Sequence, residues 1–359
     1  MRWIFFLIFV CVGALTPHPL ESSFVTSGLL PIRAEATESV ESSKEIKLLV
    51  SLAWDGPVAA EHNLEAFKRF RSTFSNIPVI HFVSPSYFTS PLAENNKATI
   101  RSMHRPGDQI GLALAPWKSI VAGAGVLFRT SPTFWGNNIS GSTCNLDCGG
   151  EVPLSIYTSK EVKSIFESAL NVMDQHGFSG LKGMQIRGWM ATPEIMNAGE
   201  QFGMKYDFSM VTPSLLSEHL REFPIFAWVK KQWPTSDILS QPGIIPSLSQ
   251  NVIEVPQSLA SLDYVSVEQM SKFLERFVGS ETKSLTYHIA LNADTVHMTL
   301  PKLELVLQNV FKQASEGKYQ LSMHQIPEMT WNLNNNMQNV SDNLDKKANS
   351  LGPIEKLSH

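Results

Sequence analysis

The chain has 359 residues, 43% of them hydrophobic and 17% charged, and a formal net charge of −4. That balance supports a proper core, which excludes a disordered chain, and leaves no electrostatic footprint for nucleic acid.

Arg2 is followed by an apolar run from Ile4 to Leu15, short of the ~20 residues that span a bilayer. A positive start, a short apolar core and the small-residue site Ala34-Glu35-Ala36 read as a secretory signal peptide over residues 1–36. The distance from Leu15 to Ala34 leaves earlier cleavage open, and also retention as an anchor. Export is the expectation, to a secreted or periplasmic location, with membrane contact only if the leader is uncleaved. Residues 37–45 read as a polar linker. Cys11 lies in the leader, whereas Cys144 and Cys148 share a loop rich in Gly, Asn and Ser. In an oxidising compartment that pair is expected to form a structural disulfide. The alternative, a reactive pair, lacks C-x-x-C spacing and a helix start.

From Glu45 strands and helices alternate, the pattern of an α/β fold. Ile46–Ala53 reads as a strand, followed by a helix with Leu64, Phe67, Phe70 and Phe74 on one face. Strands are predicted at 78–83 and 109–114, then a long loop over 122–157. Thr158 to Glu161 is a capping box opening a helix that Gly177 ends. A short strand at 184–187, a helix begun by Thr192-Pro193 and a strand near 205–208 follow. The stretch 211–262 is proline-rich, with isolated short strands and no firm pattern. Ser266 to Gln269 caps a further helix, 284–291 is a strand, and 301–314 is the last strong helix. From Asn332 the chain turns Asn-rich and then charged, which predicts a polar C-terminal tail over 332–359. Units of this length suit a distorted barrel of parallel strands over 46–331. Chemistry in such barrels sits at the C-terminal strand ends. Three of those ends carry tryptophan, namely Trp54, Trp117 and Trp189, either as packing residues or as platforms for sugar rings.

There is no H-E-x-x-H, no phosphate-binding loop, no dinucleotide fingerprint and no G-x-S-x-G elbow, which argues against zincins, nucleotide enzymes and ordinary serine hydrolases. Several segments do stand in a familiar order: Ser51-Leu52-Ala53-Trp54-Asp55-Gly56-Pro57, then Gly111-Leu112-Ala113-Leu114-Ala115-Pro116-Trp117. Ile186-Arg187-Gly188-Trp189, Tyr206-Asp207-Phe208-Ser209 and Leu291-Asn292-Ala293-Asp294-Thr295 follow. In order and spacing these resemble the motifs of the polysaccharide deacetylases of the NodB type, over roughly residues 45 to 315.

The resemblance implies a distorted (β/α) barrel and a zinc-type site. An Asp-His-His set would hold a divalent metal that lowers the pKa of a bound water, with a second aspartate as base and a late histidine as acid. Carried onto this chain, Asp55 keeps the metal-type aspartate, but the base falls on Trp54, the ligand histidines on Ala113 and Ala115, and the late histidine on Asn292. One carboxylate does not hold zinc with three protein ligands. Asp294, Asp207 and Arg187 are the remaining polar candidates, either for chemistry or as a buried ion cluster bracing the mouth. His81, His104, His288 and His297 are expected as ordinary core or surface histidines. The expected function is therefore a degenerate deacetylase-like protein. It would bind a glycan, peptidoglycan or another acetylated polysaccharide, in a Trp-lined groove, with no cofactor. The alternatives are an active hydrolase that uses zinc or another divalent metal through other ligands, and a structural or partner-binding envelope protein.

Overall fold

The computed structural model describes residues 44–323, apart from 57–58, 140–143, 145–146, 217 and 259–260. The predicted leader, most of the linker, residues 324–331 and the predicted tail lie outside the described residues.

Strand β1 (Glu45–Trp54) is buried along nearly its whole length. It pairs in parallel with β2 (Val79–Val83) on one side and β8 (Ser284–Asn292) on the other. The next strands follow in chain order: β3 (Gln109–Leu114), β4 (Gly183–Ile186) and β5 (Tyr206–Asp207). β7 (Ile253–Glu254) extends the sheet in parallel, and β6 (Gly243–Ile244) adds an antiparallel edge. β9 (Gln320–Met323) pairs with the first residues of β1. The sheet curls into a distorted (β/α) barrel because the segment after β7 reaches both sides. Gln257 bridges to Val211 beside β5, and Ser261 bridges to Ala290 of β8.

Side-chain alternation sorts each strand into two layers. Leu49, Ile80, Phe82, Ala113, Phe208 and Val255 form an apolar cluster of their own. They fill the barrel interior, where the Phe82 and Phe208 rings lie 4.9 Å apart. Gly111 makes room for this filling: a Cβ there would lie 2.6 Å from the Phe82 ring. The opposite faces, such as Leu48, Val50, Leu52, Leu112, Leu114, Ile289 and Leu291, pack outward into the main core. Against them lie the helices α1 (Glu61–Thr73), α2 (Ala93–Met103), α3 (Lys118–Gly123), α4 (Ser159–Gln175), α5 (Pro193–Gln201), α6 (Pro224–Gln232), α7 (Val267–Gly279) and α8 (Val296–Ser315).

Both predicted capping boxes form, at Thr158–Glu161 and at Ser266–Gln269. Three features depart from the sequence expectations. α8 begins at Val296 and carries Pro301 inside it, where the sequence reading started the helix at that proline. The stretch 211–262 holds the unpredicted helix α6, beside the short strands β6 and β7 of the kind expected there. β9 falls in a region without a predicted strand. Among the described residues no helix is long and apolar enough to cross a membrane.

Candidate functional site at the barrel mouth

The loops that leave the C-terminal strand ends gather Asp55, Arg187 and Asp294. Asp55 and Arg187 carry the parity of the barrel interior one residue past the ends of β1 and β4, so both turn toward the axis. An Arg187 guanidinium nitrogen lies 3.2 Å from the Asp55 carboxylate. The guanidinium also leans on the Trp117 ring, 5.8 Å from its centroid. Asp294 follows β8, and its carboxylate lies against Gly56, where a Cβ would stand 2.9 Å from Oδ2. Its carbonyl accepts a 2.7 Å bond from the Asn63 amide, which ties the β8 loop to α1. Desolvation under the packed rim, then the charge of Asp55, raise the Asp294 carboxyl to about 6, against the pull of Arg187. The residue nonetheless keeps an exposed surface. The shift therefore describes a half-open rim position and not a sealed one.

Two tyrosines pack against tryptophans of the strand ends. Tyr87 sits in a short 3-10 turn, Pro85–Phe88, just past β2, and packs edge-on against Trp54. It is 1% exposed, and its hydroxyl has no hydrogen-bond partner. Burial, then the nearby charges of Asp294 and Asp55, push its pKa well up. Tyr264 meets the Trp189 ring edge-on at 5.5 Å. Its hydroxyl is also pushed up, by burial and then by Asp263. Tyr87, Tyr264 and Asp263 were missed in the sequence, although Tyr87 could have been found by the strand-end rule that pointed to the tryptophans.

The three tryptophans have different places. Trp54 ends β1 on the outward parity and is 1% exposed. Its indole N–H donates to His81 Nδ1 at 3.1 Å. His81 therefore carries its proton on Nε2, which faces Asp108 at 3.3 Å. Burial lowers the His81 pKa and keeps the ring neutral. Asp108 is also held by both guanidinium contacts of Arg71, at 2.8 and 2.9 Å. Trp54 thus belongs to a buried polar chain between sheet and helices, and the expectation that it lines the groove is corrected. Trp117 and Trp189 do stand at the mouth, but they are only 7% and 9% exposed, so they brace the rim. Trp189 holds a left-handed backbone, φ 60°, directly after Gly188 at φ 73°. A bulky residue there is strained by order 1–3 kcal/mol. It is pinned by its N–H to Gln257 at 3.2 Å and by the Trp233 N–H on its carbonyl at 2.8 Å. Cys144 and Cys148 form a disulfide with Cα atoms 5.2 Å apart. The Cys148 carbonyl accepts from the Lys118 N–H at 2.7 Å, which holds this loop beside Trp117.

Asp207 does not join Arg187 and Asp294. Phe208 and Val255 point into the barrel. The in-register pair Asp207 and Glu254 therefore points outward and is fully buried. Ser209 donates to one oxygen of Asp207 at 2.7 Å, and the Met210 N–H to one oxygen of Glu254 at 2.7 Å. The remaining oxygens, Asp207 Oδ2 and Glu254 Oε2, have no hydrogen-bond partner. Burial raises both, Asp207 to about 6 and Glu254 well above its usual range, with the Asp207 charge adding to the latter. Burial between β5 and β7 therefore favours a protonated pair over two buried charges.

The positions to which the resemblance assigns zinc do not fit a metal. Ala113 is part of the filled barrel interior and Ala115 of the main core, and neither side chain has a lone pair. Asp55 is engaged by Arg187. Among the described residues no three His, Cys, Asp or Glu side chains gather into a metal site. His288 lies inside the barrel, 2.8 Å from Ser51 Oγ, with its pKa lowered to about 4 by burial. His104 meets the Asp108 carbonyl. Two surface hollows of about 300 and 520 Å³ lie elsewhere, beside Arg71 and Met323 and between α4 and α5.

No family model matches the chain, and no curated protein matches it by sequence. Solved structures similar to it include a candidate polysaccharide deacetylase from Mycobacterium smegmatis, at 10% identity and TM-score 0.43 over 82% of this chain and 99% of that one. A family 4 carbohydrate esterase from Streptomyces lividans in complex with acetate is 9% identical, with TM-score 0.36 over 79% and 93%. A CE4 family pseudoenzyme from Bacillus anthracis is 8% identical, with TM-score 0.36 over 78% and 63%.

Proposed function

We propose that this is an exported, catalytically degenerate relative of the polysaccharide deacetylases that binds an envelope glycan at the barrel mouth without turning it over. The observation that carries the reading is the contrast between the two halves of the mouth. Asp55, Arg187 and Asp294 remain open at the rim, while the positions that would arm a metal are methyl groups packed into the core. Carboxylates and a guanidinium suit the hydroxyls of a sugar, and tryptophan edges suit its C–H faces. A mouth without metal ligands has no means of activating water in the manner the resemblance implies. Peptidoglycan and other acetylated polysaccharides are the glycans to try first.

The test is calorimetric titration with soluble peptidoglycan fragments and chitin oligosaccharides, beside an acetate-release assay with and without added zinc. Binding that needs no metal, without acetate release, is expected. Zinc-dependent acetate release would overturn it.

A second reading has its own observation. Asp294, raised to about 6, stands near the Asp55–Arg187 pair. Two carboxyl groups with separated pKa values are the makings of an acid–base pair, so a metal-free hydrolase is the alternative. Release of new reducing ends from the same oligosaccharides would establish it.

A further inference from the structure

The strand ends offer a sugar no open aromatic face, because Trp54, Trp117 and Trp189 are all buried. Trp135, in the loop between α3 and α4, is 39% exposed and is the only exposed tryptophan among the described residues. Its neighbour joins that loop to the mouth. The Phe134 ring lies on Gly188, the residue after Arg187, where a Cβ would stand 2.1 Å from the ring. The turn that carries the indole is fixed on several sides. Phe134 donates its N–H to the Glu151 carbonyl at 2.8 Å, and its carbonyl accepts from Ile225 of α6 at 3.2 Å. The Gly136 N–H closes the turn onto the Thr133 carbonyl at 3.2 Å. Phe223 meets the indole at right angles, with ring centroids 5.5 Å apart. An aromatic side chain held this firmly yet left in water loses little conformational freedom when a ligand covers it.

We propose that Trp135 is a stacking platform for a further sugar ring of the same glycan, so that the protein holds an internal stretch of polymer running from Arg187 past the Phe134 turn. This deepens the glycan-binding reading and rests on it. A pyranose ring carries a patch of C–H groups on its face and hydroxyls around its edge. The patch suits an indole face, and the hydroxyls suit side-chain amides. Both kinds of group stand together here, because Asn137 and Asn138 follow the tryptophan and are exposed beside it. A hydrophobic protein or lipid partner would call for a contiguous apolar patch. Trp135 is followed instead by Gly136, Asn137 and Asn138, all exposed.

The experiment titrates the full chain with soluble peptidoglycan fragments and with chitin oligosaccharides from the dimer to the hexamer, by calorimetry and by acrylamide quenching of tryptophan fluorescence. Affinity is expected to rise with chain length, and the longest ligands should shield a quenchable tryptophan. Trp135→Ala should bind those ligands at least about ten-fold more weakly and lose the dependence on length, while the dimer binds as before. Trp135→Phe should recover much of the loss. Leu305→Ala, at an exposed position on α8, should change nothing, which separates stacking from the removal of any apolar surface. If Trp135→Ala binds long ligands as the parent does, the inference is overturned and the glycan reading stands. If the parent binds neither fragments nor oligosaccharides, both fall together. A dimer in sedimentation that Trp135→Ala dissociates would show a second copy covering the ring, and would also overturn the inference.

Discussion

Asp207 and Glu254 lie in register and fully buried where two strands meet, and the pair gives folding a pH dependence with a definite sign. Burial raises both carboxyls. The folded state therefore binds more protons than the unfolded state above the ordinary carboxylate range, and stability falls as pH rises there. A one-proton difference is worth about 1.4 kcal/mol per pH unit. His288, lowered to about 4, acts in the opposite sense, losing stability as pH falls below its ordinary value of 6.5. A difference between parent and variant cancels that term. Glu254→Gln keeps an amide donor toward Asp207, so its stability relative to the parent should improve steadily from pH 5 to pH 8 in denaturant melts. A constant difference would mean that the pair is not protonated. Trp54 makes a second case. Trp54→Phe leaves His81 Nδ1 without its donor, at a cost of about 1–3 kcal/mol. Glycan affinity should not change, whereas Arg187→Ala should abolish binding with little loss of stability. Loss of binding in Trp54→Phe, at temperatures where it is folded, would return that residue to the groove.

At the level of elements, the strands that the sequence disclosed are those with long runs of buried apolar residues, β1, β3 and β8 above all. The helices that it disclosed carry capping boxes or clear periodicity, as in α4 and α7. The two-residue strands β6 and β7 and the helix α6 carry no such run, and tertiary pairing alone defines the strands. The site was legible in part for a similar reason. The motif resemblance led to Asp55, Arg187 and Asp294, and the strand-end rule to Trp117 and Trp189. Trp54 and Asp207 are misplaced by the sequence because fully buried parallel strands are apolar on both faces, so there is no alternation to tell interior from exterior. One residue of parity sends Asp55 to the axis and Trp54 under the helices. The interior is equally sensitive. Gly111→Ala would drive a methyl into the Phe82 ring, and overpacking of this kind costs about 1–3 kcal/mol. A loss of that size in chemical denaturation is expected, with Phe82→Leu restoring part of it in the double variant. If Gly111→Ala alone is neutral, the barrel interior is looser than the geometry implies.

For the whole molecule, the barrel is strongest around β1 and weakest at its seam. β1 matches β8 over nine register positions and β2 over five. Among the described residues the seam has two matched positions between β5 and β7, and single bridges from Val211 to Gln257 and from Ser261 to Ala290. Regions with few ladder bonds open first. In native-state hydrogen exchange, the amides of Ile253, Val255, Gln257 and Leu262 should exchange well before those of β1 and β8. Equal protection would mean that the barrel opens only as a unit.

The pairing of β1 also governs how the chain can reach this structure. Glu45 stands opposite Ser284 on one side and Gln320 on the other, so the first strand cannot complete its ladder until the last strands have emerged. Contacts so distant along the chain slow folding. A ribosome or translocon that delivers the N-terminal two-thirds first leaves an apolar strand with an open edge, which invites association with other chains. A chain ending before Ser284 would keep that edge permanently. It is expected to aggregate instead of forming a smaller barrel, and the intact protein would need an escort until its C-terminal strands arrive.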